Sequence, residues 1–202
     1  MTTARLPHFL ADMARARDIV ALGQAIGTLT VRRVDATDLY RAGLVQAVSA
    51  LDNYIHGVVL DRATDMFLGR LSVSGASRTR SVGLAFVSVA DIVTAPTTTD
   101  RELSARAQIA SRIGQETFQK PDDIASALAM VGVTAVWPTV FGSQAGQKRA
   151  DLGVVVTRRN RIVHQSDSDP LTPGHATPLS AADALDAIAT VESTVTAIDS
   201  HL

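Results

Sequence analysis

The sequence predicts an all-α protein, a bundle of four to six helices in a single domain over residues 1–202, and three observations carry that expectation. Apolar residues make up 46% of the chain and aromatics 4%, so the core must be assembled from Ala, Val, Leu and Ile, which suits closely packed helices. Apolar positions recur at intervals of three and four over long stretches. Between those stretches stand Pro, Gly and Ser/Thr/Asp clusters, the residues that start and stop helices.

The first helix is expected from Pro7 to Leu29, with Phe9, Leu10, Met13, Ile19, Val20, Leu22, Ile26 and Leu29 at helical spacing. Thr37 or Asp38 is placed to cap a second and longest helix, whose stripe runs from Leu39 through Leu51, Ile55 and Val59 toward Leu71. The polar, Gly/Ser-rich run from Ser72 to Ser81 reads as an exposed connection, followed by a short apolar piece from Val82 to Val93. Pro96 and the Thr97–Asp100 cluster restart the chain into a third helix expected from about Asp100 to Phe118. Pro121, Asp122 and Asp123 open a shorter one through Ile124, Leu128 and Val131, with proline in the first turn and acids near the positive end of the helix dipole. Gly132 and Pro138 bracket the only tryptophan, Trp137, which reads as a core anchor.

From Gly146 to His164 local rules conflict: Val154-Val155-Val156-Thr157 has strand propensity, while Leu152, Val155, Val156, Arg159, Ile162 and Val163 keep helical spacing. We read it as a helix that stops between Gln165 and Asp169, because Pro170 and Pro173 forbid continuation. Ser180 then caps a last helix carrying Leu185, Ile188, Val191, Val195 and Ile198.

The net charge of -1 gives no global attraction for nucleic acid, so any such contact must use local patches. The absence of cysteine excludes disulfide frameworks, thiolate zinc sites and cysteine nucleophiles. Charges and Pro7 interrupt the N-terminal segment, which therefore does not read as a signal peptide, and no later apolar run is long enough to span a bilayer. A cytoplasmic protein with no membrane partner, no metal and no cofactor is expected.

The chemistry concentrates in Arg158-Arg159-Asn160-Arg161-Ile162-Val163-His164. Arg159 occupies a stripe position where the register asks for an apolar residue, and a guanidinium held there needs an anionic partner. Asn160 and His164, four apart, share a face, whereas Arg159 and His164 are about 140° apart around a helix, so one chain presents them awkwardly and a second copy would help. A histidine that titrates near neutral pH and a fixed cation are the two groups RNA cleavage needs. One takes the proton of a ribose 2′-hydroxyl, and the other stabilises charge growing on the phosphorus oxygens. The attacking oxygen belongs to the substrate, so no metal-activated water is required. By spacing alone, an arginine paired to a helix-end acid beside an ordinary surface histidine is the competing reading.

In wording and position this segment resembles the motif of HEPN domains, nearest to the class called RiboL-PSP-HEPN. The likeness extends to Val48–His56, to Phe118–Ile124 and to Val133–Trp137. It implies a HEPN-like helical bundle that forms a homodimer and acts as a metal-independent endoribonuclease, a toxin or phage-defence effector. Arg159 and His164 are then catalytic and Asn160 supporting, with RNA as substrate and an antitoxin or nucleotidyltransferase as a possible partner. Some such domains are instead catalytically silent binding or dimerising modules, and a purely structural scaffold is the more distant alternative. One departure stands out: an acid and a glycine commonly precede the aspartate that follows the histidine, and here Gln165-Ser166-Asp167 occupies those positions.

Other residues are candidates against plainer roles. Asp52 could orient Arg159, and with His56 forms a pair four apart that is also common as a surface ion contact. Arg158 and Arg161 are candidates for RNA contact, as are Arg78 and Arg80, which with Arg70 flank a polar loop and could grip phosphates or simply be solvated. Asp167 and Asp169 read as capping or solvated acids in a Pro-bounded turn rather than as a cation site. The run Gly142–Lys148 lacks P-loop spacing, and neither GxSxG nor HExxH occurs.

Overall fold

The computed structural model describes residues 2–31, 33–72, 84, 86–169, 171–172 and 174–202. Among these residues the protein is all-α. The chain forms α1 (Leu6–Leu29), α2 (Thr37–Phe67), α3 (Phe86–Val93), α4 (Thr98–Ile113), α5 (Pro121–Met130) and α6 (Val136–Phe141). A 3-10 turn at Gly142–Gln144 follows, then α7 (Ala145–Gln165) and α8 (Ala181–His201). Six of the helices have ten residues or more, and α3 and α6 are shorter. The described residues contain no strand, only an isolated bridge between Ser168 and Ala176. They form two compact units, residues 1–51 with 140–202 and residues 52–139. The division falls inside α2, a subdivision that composition does not signal.

In the first unit α1 packs along α8, and α7 packs on α8. Phe9, Met13, Ala16 and Val20 of α1, Leu152 and Val156 of α7, and Ile188, Val191, Val195 and Ile198 of α8 are buried. Each set follows the helical period that the sequence shows. Gly43 in α2 permits a close approach to α1: a Cβ there would stand 2.7 Å from Val20 Cγ2 and 3.0 Å from the Ala16 carbonyl oxygen. Ser180 and Asp183 form a reciprocal capping box at the start of α8, as the sequence suggests for Ser180. At the other end of α8 the buried Asp199 accepts hydrogen bonds from the backbone N–H and hydroxyl of Thr3.

In the second unit Ile55, Val59, Ile109, Ile113, Ile124, Leu128 and Trp137 are buried. The indole N–H of Trp137 donates to the Pro121 carbonyl at 2.9 Å, so the tryptophan anchors the core as expected.

Two expected boundaries are corrected. Thr37 does not cap α2 but is its first residue; Asp35, two residues upstream, accepts from the Thr37 hydroxyl and from the Thr37 N–H at 2.9 Å, and these two bonds, the hydroxyl's foremost, hold its carboxyl below the ordinary value. The third long helix does not reach Phe118: α4 starts behind the Thr97 N-cap and stops at Gly114, whose N–H bonds back to the Ala110 carbonyl. The residues that follow are used elsewhere, since the Phe118 N–H donates to Asp52.

Candidate functional site

The segment Arg158–His164 lies in the last two turns of α7, so the helical reading of 146–164 is correct and the strand alternative is not. The Leu152, Val155 and Val156 stripe decides the conflict, because all three are buried at helical spacing. Beyond Gln165 the chain reverses through Ser166 and Asp167, which have φ of 49° and 53° although neither is glycine. Two non-glycine residues in the left-handed region cost about 1–2 kcal/mol each, and something must hold them.

Asp167 is that something, and it is completely buried. Its Oδ2 accepts from Arg41 Nε at 3.0 Å and from Arg158 Nη2 at 2.8 Å. The same two guanidiniums also donate to the Thr177 carbonyl, each at 2.8 Å. Arg161 Nη2 donates to the Ser168 carbonyl at 2.9 Å and the Thr177 hydroxyl oxygen at 2.8 Å. These charge-assisted hydrogen bonds fix the geometry of the strained reversal. The Asp167 carboxylate is therefore not solvated, which corrects that half of the plainer reading, while its N–H does cap α7 by donating to the Arg161 carbonyl at 3.0 Å. Asp169 does act locally, accepting from the Leu171 N–H at 2.9 Å. Arg158 and Arg161, both candidates for RNA contact, here hold the protein's own loop. The part Arg41 plays in this cluster has no sign in the sequence, because its partner lies 126 positions away.

Arg159 differs from its neighbours. It extends the buried stripe of α7 and is half-buried; its Nη1 donates to Asn160 Oδ1 at 3.0 Å, and its buried Nε has no partner. Among the described residues no carboxylate pairs with it, whereas Arg41 and Arg158 share one. His164 sits exposed in the last turn. The helix separates the two by about 140° around its axis and about 7.5 Å along it. Val163, almost half exposed, lies between them on the helical wheel.

Asp52 and His56 belong to the second unit, and their hydrogen bonds are made there. Asp52 Oδ1 accepts from the Phe118 N–H at 2.6 Å, and Oδ2 accepts from Gln119 Nε2 at 3.1 Å. Burial pushes the Asp52 carboxyl up, but hydrogen bonds from His56, Phe118 and Gln119 outweigh it and hold the group below its ordinary value. His56 stacks against Phe118 with ring centroids 4.4 Å apart, its Nδ1 2.8 Å from the Asp52 carbonyl oxygen and its Nε2 3.2 Å from the Ile113 carbonyl oxygen. Both nitrogens thus face acceptors, an arrangement complete only in the doubly protonated ring. Burial works against that charge, yet the Asp52 hydrogen bonds and charge prevail and the His56 pKa is raised.

Arg70 is paired with Glu102 at 2.6 Å, and Arg78 and Arg80 lie outside the described residues. A cleft of about 920 Å³ runs between α7 and α8, lined among others by Gly153, Val154, Thr157, Arg158, Arg161 and Asp186. Its charged lining comprises two arginines and three aspartates, Asp151, Asp183 and Asp186, a poor match for a polyanion. Neither Arg159 nor His164 lines it. Among the described residues no cluster of three His, Asp or Glu side chains is arranged to hold a metal ion, and no helix is long and apolar enough to cross a membrane. Compared with family models, curated proteins and solved structures, the chain matches none.

Proposed function

We propose that this chain is a HEPN-type endoribonuclease that cleaves RNA without a metal, with His164 as general base and Arg159 as the cation for the developing phosphorane charge. The observation that carries the reading is the state of Arg159: a half-buried guanidinium, steadied by Asn160, with a buried Nε and no carboxylate partner among the described residues. A cation held at a helix face without its counter-ion is prepared for an anion supplied from outside, and a phosphodiester is such an anion. His164, exposed on the same helix, supplies the imidazole proposed as the base. Attack by the ribose 2′-oxygen on the adjacent 3′-phosphorus forms the cyclic phosphate and breaks the bond to the 5′-oxygen of the next nucleotide, with His164 taking the 2′-proton and water protonating the departing 5′-oxygen.

A single α7 turns the two groups away from each other, so the working cleft in this proposal lies between two copies, each giving one Arg159 and one His164. The exposed Val163 between them supplies an apolar contact for such a face. The proposed setting is a toxin or phage-defence effector, held in check by an antitoxin or nucleotidyltransferase. A second reading, a silent binding or dimerising module of the same class, is favoured by one observation: neither residue of the pair lines the cleft of the single chain.

The test is cleavage of mixed RNAs in excess chelator, with end mapping. Arg159→Ala is expected to lower kcat by about 10²–10³ and His164→Ala by about 10²–10⁴, with helicity and oligomeric state preserved. Mixing the two mutants under conditions of chain exchange should restore cutting above either alone, because each heterodimer keeps one intact Arg159 and one intact His164 on opposite subunits. Cleavage that vanishes in chelator and returns with magnesium would refute the proposed chemistry.

A further inference from the structure

The reversal after α7 is more heavily held than an exposed loop requires. The Arg161 carbonyl accepts the N–H of both Ser166 and Asp167, and the Gln165 carbonyl accepts the Ser168 N–H at 3.1 Å, so orphan acceptors at the helix end are satisfied by the reversed chain. The Asp167 carbonyl accepts the Thr177 N–H at 2.8 Å and the Thr177 hydroxyl at 3.1 Å. The Asp167 carboxylate sits between the guanidiniums of Arg41 and Arg158, fully buried, with its Oδ1 and the Arg158 Nε left without partners. Burying an ion cluster with unsatisfied atoms is an inefficient way to gain stability, because desolvation offsets most of the attraction. In some proteins such a cluster serves instead to fix a single arrangement of the groups around it. The group it arranges is the last turn of α7, where Val163, His164 and Gln165 are exposed and His164 alone of the three can act as a base.

We infer that Asp167 is a positioning residue: clamped by Arg41 and Arg158, it locks the final turn of α7 and holds the His164 imidazole in one orientation. The inference rests on the ribonuclease reading for its functional meaning, while its physical content, order at residues 162–166, is measurable on its own. Without the clamp, the last turn is a fraying helix end carrying an exposed histidine, and a base that samples many orientations loses turnover without losing substrate affinity.

The experiment compares the full-length wild type with Asp167→Asn, which keeps the shape and removes the charge, and Arg41→Gln, which loosens the clamp from α2 without touching α7. Amide hydrogen exchange is read at Ile162 to Gln165 with α8 as internal control, together with the NMR resonance of the His164 ring and steady-state RNA cleavage. In Asp167→Asn, protection at 162–165 should fall at least tenfold with α8 unchanged, and the His164 resonance should broaden or split. The kcat should drop ten- to a hundredfold with KM changed less than twofold; Arg41→Gln should move the same readouts less far. If Asp167→Asn also loses protection in α8, its fold is compromised and Arg41→Gln decides on the same measurements. Unchanged exchange and an unchanged His164 resonance in the deciding variant overturn the clamp. A disordered turn with full kcat overturns the positioning role and leaves the ribonuclease reading intact. A wild type that cuts no RNA, with a turn that still disorders in the variants, removes the ribonuclease reading and leaves the clamp.

Discussion

Replacing Asp52 by alanine removes the acceptor for the Phe118 N–H and the Gln119 amide, and the negative partner of His56. Phe118 is buried, so its N–H gains no water in return, a loss of about 1–3 kcal/mol. The carboxylate is about one-fifth exposed, and solvent screening reduces what its charge adds through His56 and Gln119 to about 1 kcal/mol. Together the variant should lose about 2–4 kcal/mol, or about 4–16 °C in Tm for a chain of this length. Urea unfolding gives the total, and hydrogen exchange at the Phe118 amide locates it. The pH dependence follows from two opposite shifts. His56 has its pKa raised above 6.5, so its contribution is complete below that value and disappears as pH rises through the folded pKa; Asp52 is lowered from 3.8, so its contribution is complete above that value and disappears as pH falls through its folded pKa. The difference between wild type and Asp52→Ala should therefore peak between these limits, near pH 5–6, and shrink toward either side. A variant within about 0.5 kcal/mol of wild type at that pH would show that the carboxylate does not hold the Phe118 segment.

Two further substitutions address the backbone. Ser166→Gly removes the left-handed strain at φ 49° and should stabilise the protein by about 0.5–1 kcal/mol; a destabilised variant in chemical denaturation would contradict the geometry of the reversal. Gly43→Ala places a methyl group against Val20 Cγ2 and the Ala16 carbonyl and should cost about 1–3 kcal/mol in a thermal melt, whereas a melt at or above wild type would show that α1 and α2 yield easily.

The parts of this fold that the sequence discloses are those governed by residues close together in the chain. The stripes of α1, α7 and α8, Pro121 in the first turn of α5 and the Ser180 cap all act within a turn or two, and each element lies within a few residues of its expected place. The end of α4 was readable too, since Gly114 follows Arg112 and Ile113 in the manner of a stop signal, but the apolar Phe118 drew the helix on. Arg159 stood out because a charged residue broke an apolar stripe. The Asp167 clamp gave no local sign: Arg41, Arg158 and Thr177 converge from three separate segments, and only folding brings them together. The Ser166 departure acquires a physical meaning in the fold, because glycine is the residue best suited to the left-handed conformation found there.

Scarcity of aromatics has an optical consequence. The only tryptophan of the chain, Trp137, is buried in the unit formed by residues 52–139, while of the two tyrosines Tyr40 lies in the other unit. Indole emission therefore reports on one unit alone, whereas far-ultraviolet circular dichroism sums helices from both. A denaturation followed by both signals acts as a cooperativity meter: superimposed curves mean that the units melt together, and a gap between them is the separate transition of the unit that emits no tryptophan light.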